Sequence, residues 1–154
     1  MKVIFLDIDG VLALTFGSMN TNNKWDAYPF DKKAVGVLNK ILTETDAEIV
    51  LSSDWKHHYT LDELKGIFLE FNGVIKAPFT VTPALPTNAM DLEGGRVKEI
   101  NLWLKENAEK LNVTHWVAID DMNMSEGLDN FVWCKKFNEG IKQLGIKEKI
   151  IKFL

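Results

Sequence analysis

Four short apolar runs punctuate the chain, and three of them end on polar residues. Val3–Leu6 stops at Asp7, Asp9 and Gly10, Ile49–Leu51 stops at Ser52 and Ser53, and Trp116–Ile119 stops at Asp120 and Asp121. The fourth is Phe131–Cys134. Runs this short, bounded by polar residues or glycine, predict buried strands rather than helices. Between them the apolar positions recur at helical spacing. Ala34, Val37, Leu38, Ile41 and Leu42 follow Asp31, a suitable N-cap, and Thr60 with Glu63 reads as a capping box opening a helix through Phe71. Val97, Ile100, Leu104, Ala108 and Leu111 predict a helix over 96–111, and the polar tail 139–153 is helix-like.

Two stretches lack a period. Residues 13–30, with Gly17, Pro29 and several asparagines, predict a loop or flap. Residues 72–95 hold three prolines with Gly73, Gly94 and Gly95, and predict an irregular connection with one short strand near Val74-Ile75. Short strands alternating with amphipathic helices imply βαβ units: an α/β three-layer sandwich around a central parallel sheet. Ligands of such sheets bind beyond the carboxyl ends of the strands. Three strands delivering acids and serines to that end are the main sign of a site.

Composition narrows the class. The 154 residues are 46% apolar and 26% charged, which suits one globular domain spanning 1–154. The net charge of −4 argues against bulk binding of a nucleic-acid backbone, but a local positive pocket for a nucleotide or a strand end stays open. One cysteine, Cys134, forms no internal disulfide and fits a reducing compartment. No apolar stretch reaches the ~20 residues of a membrane span, and no signal-peptide pattern is present, so the expectation is a cytoplasmic protein without membrane association. Asn112-Val-Thr114 and Asn123-Met-Ser125 then read as chance matches to a glycosylation pattern.

Asp7 and Asp9 leave the first strand into a turn that points both carboxyls into the crevice. Adjacent carboxylates push one pKa up, giving an ionised nucleophile beside a protonated acid. The bland alternative is a pair of turn acids satisfied by backbone amides. An EF-hand loop is excluded, because Gly10 stands too close to Asp7 and the later glutamate is missing. Asp120 and Asp121 add negative charge that a phosphoryl group tolerates only if Mg²⁺ offsets it. Ser52, Ser53 and their amides offer donors to a phosphate, and Lys98 or Arg96 offers the balancing cation.

Phe5-Leu-Asp-Ile-Asp-Gly-Val11, Ile49-Val-Leu-Ser-Ser53, Val97-Lys-Glu-Ile100 and Val117-Ala-Ile-Asp-Asp121, in that order, resemble the haloacid dehalogenase superfamily of phosphohydrolases. The stretch around Lys98 and Asp121 is similar to the phosphatase module of polynucleotide kinase-phosphatases. The resemblance implies Asp7 as nucleophile and metal ligand, and Asp9 as general acid/base that also ligates through its carbonyl. It further implies Ser52 as phosphoryl holder, Lys98 as the cation steadying the phosphoaspartate, Asp121 as direct metal ligand, and Asp120 acting through water. Ser53, Arg96, Trp55 and Gly10 complete the expected substrate-binding set.

The gaps between motifs leave no room for a large cap domain, as in the capless subclass, whose open sites accept extended substrates. Trp25, Trp55, His57 and His58 are expected near the mouth, where a base can stack, and His57-His58 lacks the partners of a metal site. Trp103, Trp116 and Trp133 are expected in the core. The reading is a Mg²⁺-dependent phosphomonoesterase for nucleotides or polynucleotide ends, needing no obligate protein partner. A phosphotransferase, a phosphomutase or a non-catalytic phosphate-binding module are its alternatives.

Overall fold

Apolar runs become strands here because both faces of the central strands are covered. In the computed structural model, which describes residues 1–14, 29–86 and 88–154, five strands form one parallel sheet in the order β3-β2-β1-β4-β5. They are β1 (Lys2–Leu6), β2 (Glu48–Leu51), β3 (Pro78–Val81), β4 (His115–Asp120) and β5 (Phe131–Trp133). Four helices flank them: α1 (Lys32–Thr45), α2 (Leu61–Gly66), α3 (Leu92–Asn107) and α4 (Ile146–Phe153).

Side chains of β1 alternate between two cores, as a two-sided strand requires. Ile4 and Leu6 join Leu38, Ile41, Phe68 and Ile150 under α1, α2 and α4, while Val3 and Phe5 join Ile100, Trp103 and Met124 under α3. Phe5 meets Trp103 and Trp116 edge-on at 5.2 and 5.8 Å. Each such pair adds about 0.5–1.5 kcal/mol beyond simple burial. The product is a three-layer α/β sandwich with no large cap over it among the described residues, and none of its helices is long and apolar enough to cross a membrane.

Helix starts follow the side-chain chemistry. Asp31 accepts hydrogen bonds from the Lys33 and Ala34 amides, and Thr60 and Glu63 form the reciprocal capping box. Three features depart from the sequence expectation. The helix opened by Thr60 stays α-helical only to Gly66, and Ile67–Phe71 widens into a π turn. The strand of the irregular connection lies at Pro78–Val81 rather than Val74-Ile75; as an edge strand it tolerates the proline.

The third departure is the start of α3, four residues before 96. Asp91 caps it through the Gly94 amide, and a Cβ at position 94 would overlap that carboxylate. Glycine thus permits the cap instead of breaking the helix.

Strand order fixes where a site forms. From β1 the chain passes to β2 on one side, while β4 lies on the other, so the crevice opens between the carboxyl ends of β1 and β4. The hydrogen bond from the Asp7 amide to the Ile119 carbonyl, 3.1 Å, and that from the Ser52 amide to the Leu6 carbonyl, 2.9 Å, carry the pairing past the strand ends. Asp7, Ser52 and Asp120 therefore arrive side by side.

Candidate active site

Asp7, Asp120 and Asp121 offer carboxylate oxygens that all lie within 4.8 Å of one another. Asp7 and Asp120 are buried and Asp121 is partly exposed. Such a cluster persists only with positive charge or protons to offset it. Arg96 supplies charge. Its Nη1 donates to Asp7 Oδ1 at 3.2 Å, to Asp120 Oδ2 at 3.0 Å and to the Ser52 carbonyl, while Nη2 donates to Asp54 Oδ1 at 3.1 Å. The second oxygen of Asp120 accepts the Met122 amide at 2.8 Å.

Protons supply the rest. Burial raises the Asp7 pKa from 3.8 to about 6, against the opposing pull of Arg96. Burial, then the charge of Asp7, raises that of Asp120 well above the ordinary carboxylate range. Burial also raises Asp121 and Asp9. The expected mutual repulsion of Asp7 and Asp9 is not what separates them: the charge of Asp7 acts on Asp120, across the strand pair, and Asp9 stands outside the cluster. Sequence proximity suggested one pair; sheet topology makes the other.

Gly10 adopts φ +70°, and a Cβ there would overlap the Asp121 carboxylate. The turn is closed by hydrogen bonds from the Gly10 amide to the Ala13 carbonyl and from the Leu12 and Ala13 amides to the Ile8 carbonyl. Glycine is needed for the backbone conformation and for the acid that packs over it. Close approach of Asp121 is the demand on this position that the structure displays.

Ser52 and Ser53 are buried, and neither hydroxyl oxygen finds a hydrogen-bond partner among the described residues. Ser53 lies near enough to Asp7 to favour its ionised form without completing a hydrogen bond. Leaving a buried hydroxyl unpaired costs about 1–3 kcal/mol, so two in succession at the strand end, one of them beside a carboxylate, mark a place for a polar ligand.

Two expected site residues are placed otherwise than the sequence suggests. Lys98 is exposed and pairs with no acid among the described residues, because it lies roughly 200° around α3 from Arg96, which faces the crevice. Trp55 is no open stacking surface: it is 7% exposed, packs against Phe30 and Tyr59, and donates its Nε1–H to Asp9 Oδ2 at 2.9 Å. Trp133, expected in the core, is 37% exposed on edge strand β5, and its Nε1 donates to the Asp121 carbonyl. Trp103 is buried and Trp116 partly so, as expected, whereas Trp25 lies outside the described residues.

Beside Arg96 opens a cavity of about 210 Å³ lined by Asp54, His57, His58, Leu85, Pro86 and Met122, among others. The two histidines were expected at the mouth; Leu85 and Pro86 carried no sequence signal, being part of an aperiodic connection. Asp54, the exposed partner of Arg96, was also missed, although it directly follows the serine pair. Lys56 and Glu99 form a buried ion pair that ties this rim to α3, with Thr82 and Pro83 accepting the remaining lysine hydrogens. Cys134 is buried, and its thiol is pushed up to about 12, so it stays protonated and unreactive.

The exchange between Arg96 and Lys98 has a measurable consequence. In metal-free protein Arg96→Ala is expected to cost about 3–5 kcal/mol, because it strands two buried carboxylates. Lys98→Ala should stay within about 0.5 kcal/mol, as for an ordinary surface change. Urea denaturation in EDTA measures both; equal losses would contradict the placement of Arg96.

A family model described as "HAD domain in Swiss Army Knife RNA repair proteins" matches residues 3–143. Comparison with curated proteins gave no match, and neither did comparison with solved structures.

Proposed function

Because the chain belongs to this family of HAD domains of Swiss Army Knife RNA repair proteins, we propose that it is a Mg²⁺-dependent phosphomonoesterase. It acts through a phosphoaspartate on Asp7, and phosphorylated RNA or nucleotide ends are its substrates. Phosphatase-type hydrolysis is the general activity that membership implies. The observation that carries the finer reading is a buried carboxylate at the switch point of the sheet, with the buried, unpartnered hydroxyl of Ser53 beside it and that of Ser52 at the neighbouring strand end.

The donor set fits Mg²⁺. Asp7, Asp120 and Asp121 present only oxygen ligands within reach of one ion, and their excess charge and raised pKa values favour a cation. Bound there, the ion would offset the charge of an incoming phosphoryl group. Every other role falls to the chain. Ser52 and Ser53 donate to phosphoryl oxygens, and Asp7 attacks phosphorus. Arg96 holds Asp7 and Asp120 in place and replaces Lys98 as the local cation. Asp9 protonates the leaving oxygen.

The cavity beside Arg96 has room for a small organic group, which favours a phosphorylated nucleotide or chain end over inorganic phosphate. With a net charge of −4 the protein grips an end rather than a long backbone. This reading makes the protein a capless relative of polynucleotide phosphatases, cytoplasmic and without an obligate partner. Phosphate release from p-nitrophenyl phosphate, mononucleotides and oligoribonucleotides bearing 3′- or 5′-phosphates, in Mg²⁺ and in EDTA, tests it. Release confined to Mg²⁺ is expected. No release from any of them, or phosphate recovered on an acceptor other than water, would overturn it.

A further inference from the structure

We propose that Trp55 is the positioning residue for Asp9, fixing which carboxyl oxygen carries the proton given to the leaving group. The inference rests on the acid role assigned to Asp9 above. Trp55 sits in a single 3₁₀ turn, Asp54–His57, directly after the serine pair. Its indole N–H meets Asp9 Oδ2 at 2.9 Å, and its ring lies 5.9 Å from Phe30 and 5.4 Å from Tyr59, centroid to centroid. The ring is walled in, whereas Asp9 is exposed at the turn.

An indole nitrogen only donates. While the hydrogen bond holds, Oδ2 serves as acceptor, best as the unprotonated oxygen, so a proton on Asp9 is favoured on Oδ1. The terminal torsion of an aspartate is otherwise broad, so an exposed carboxyl would sample many orientations. Trp55 removes that freedom and leaves one oxygen, in one direction, for proton transfer. The alignment of a catalytic group can be worth orders of magnitude in rate.

When Asp7 attacks, an Asp7 oxygen–phosphorus bond forms and the bond from phosphorus to the leaving oxygen breaks. The proton on Asp9 Oδ1 passes to that oxygen. Water then attacks phosphorus, the Asp7 bond breaks, and the water proton returns to Asp9 Oδ1.

Trp55→Phe keeps an aromatic ring in the packing and removes the N–H. The test compares kcat/KM, which reports formation of the phosphoaspartate, on two substrates in Mg²⁺. One is p-nitrophenyl phosphate, whose phenolate leaves without a proton. The other is a phosphorylated oligoribonucleotide, whose alkoxide needs one.

Trp55→Phe should lose about 10–100-fold on the oligonucleotide, a fraction of the ~10²–10⁴-fold that general acids contribute, and under about threefold on p-nitrophenyl phosphate. Asp9→Asn, run beside it, should show the same selectivity with a larger loss. If Asp9→Asn is selective and Trp55→Phe is not, the role of Trp55 is overturned. If Asp9→Asn loses both substrates equally, the acid assignment itself falls. Should Trp55→Phe fold poorly, benzothienylalanine at position 55 replaces only the N–H with sulfur, and equal loss on both substrates would reduce Trp55 to a packing residue.

Discussion

Replacing Asp7 with asparagine is expected to lower phosphate release by at least about 10⁴-fold, the scale on which deleting a catalytic nucleophile acts. The fold should survive. Asparagine has the shape of aspartate, and the Asp7 amide keeps its hydrogen bond to the Ile119 carbonyl. Its side-chain oxygen can still accept from Arg96 Nη1, which now stands 3.2 Å from Asp7 Oδ1. What is lost is charge: a neutral amide does not attack phosphorus. Rapid quenching of wild type with labelled substrate should trap a phosphoenzyme that hydroxylamine cleaves, and Asp7→Asn should trap none. Activity near wild type in Asp7→Asn, with melting unchanged, would remove Asp7 from the reaction and leave the cluster as a binding site only.

That Asp7, Ser52 and Asp120 meet was legible because each follows an apolar strand, and parallel strands end at one edge. The alternating burial of Ile4 and Phe5 on opposite faces of β1 is the same physics read along the strand instead of across it. Less legible was which cation turns inward. Arg96 and Lys98 are two residues apart on one helix, roughly 200° around its axis, so only one of them can face the crevice. The phase of α3 decides, and the contact of Asp91 with Gly94 sets where that helix begins.

Trp55 lies where its sequence position places it, but its ring is covered. A tryptophan after a strand-end serine pair looks like a stacking surface, but whether its face is open depends on neighbours far away in sequence. Phe30 and Tyr59 cover it, and Asp9 takes its N–H. Trp133 shows the converse: its run is apolar, yet β5 is an edge strand, and edges leave side chains exposed. Strand order is a property of the whole chain, and no local window contains it.

The metal-free protein should become less stable as pH rises through the range where the buried acids ionise, and Mg²⁺ should reverse this. Asp7 moves from 3.8 in the unfolded chain to about 6 in the fold, so between these values the folded state binds more protons. Stability then falls with rising pH, from about pH 4 through about pH 6, and the direction for Asp120 extends the fall upward. For Asp7 alone the displacement corresponds to about 3 kcal/mol. Other acids act oppositely: Asp31 and Asp46, held low by Lys142 and Lys76, lend stability that is lost as pH falls. The informative quantity is therefore wild type minus Asp7→Asn, which reports Asp7 together with its effect on Asp120, measured by urea denaturation in EDTA across pH 4–8.

A divalent ion binds the ionised cluster, so its effect should grow over the same range. At a hundredfold excess over its dissociation constant it adds about 2.7 kcal/mol. For a chain of this size that corresponds to roughly 5–10 °C in Tm. Asp121→Ala, which removes the most accessible of the three carboxylates, should abolish most of the rise. A difference curve that is flat with pH, together with a Tm that ignores Mg²⁺ in the wild type, would show that Arg96 alone neutralises the cluster and that no ion belongs there.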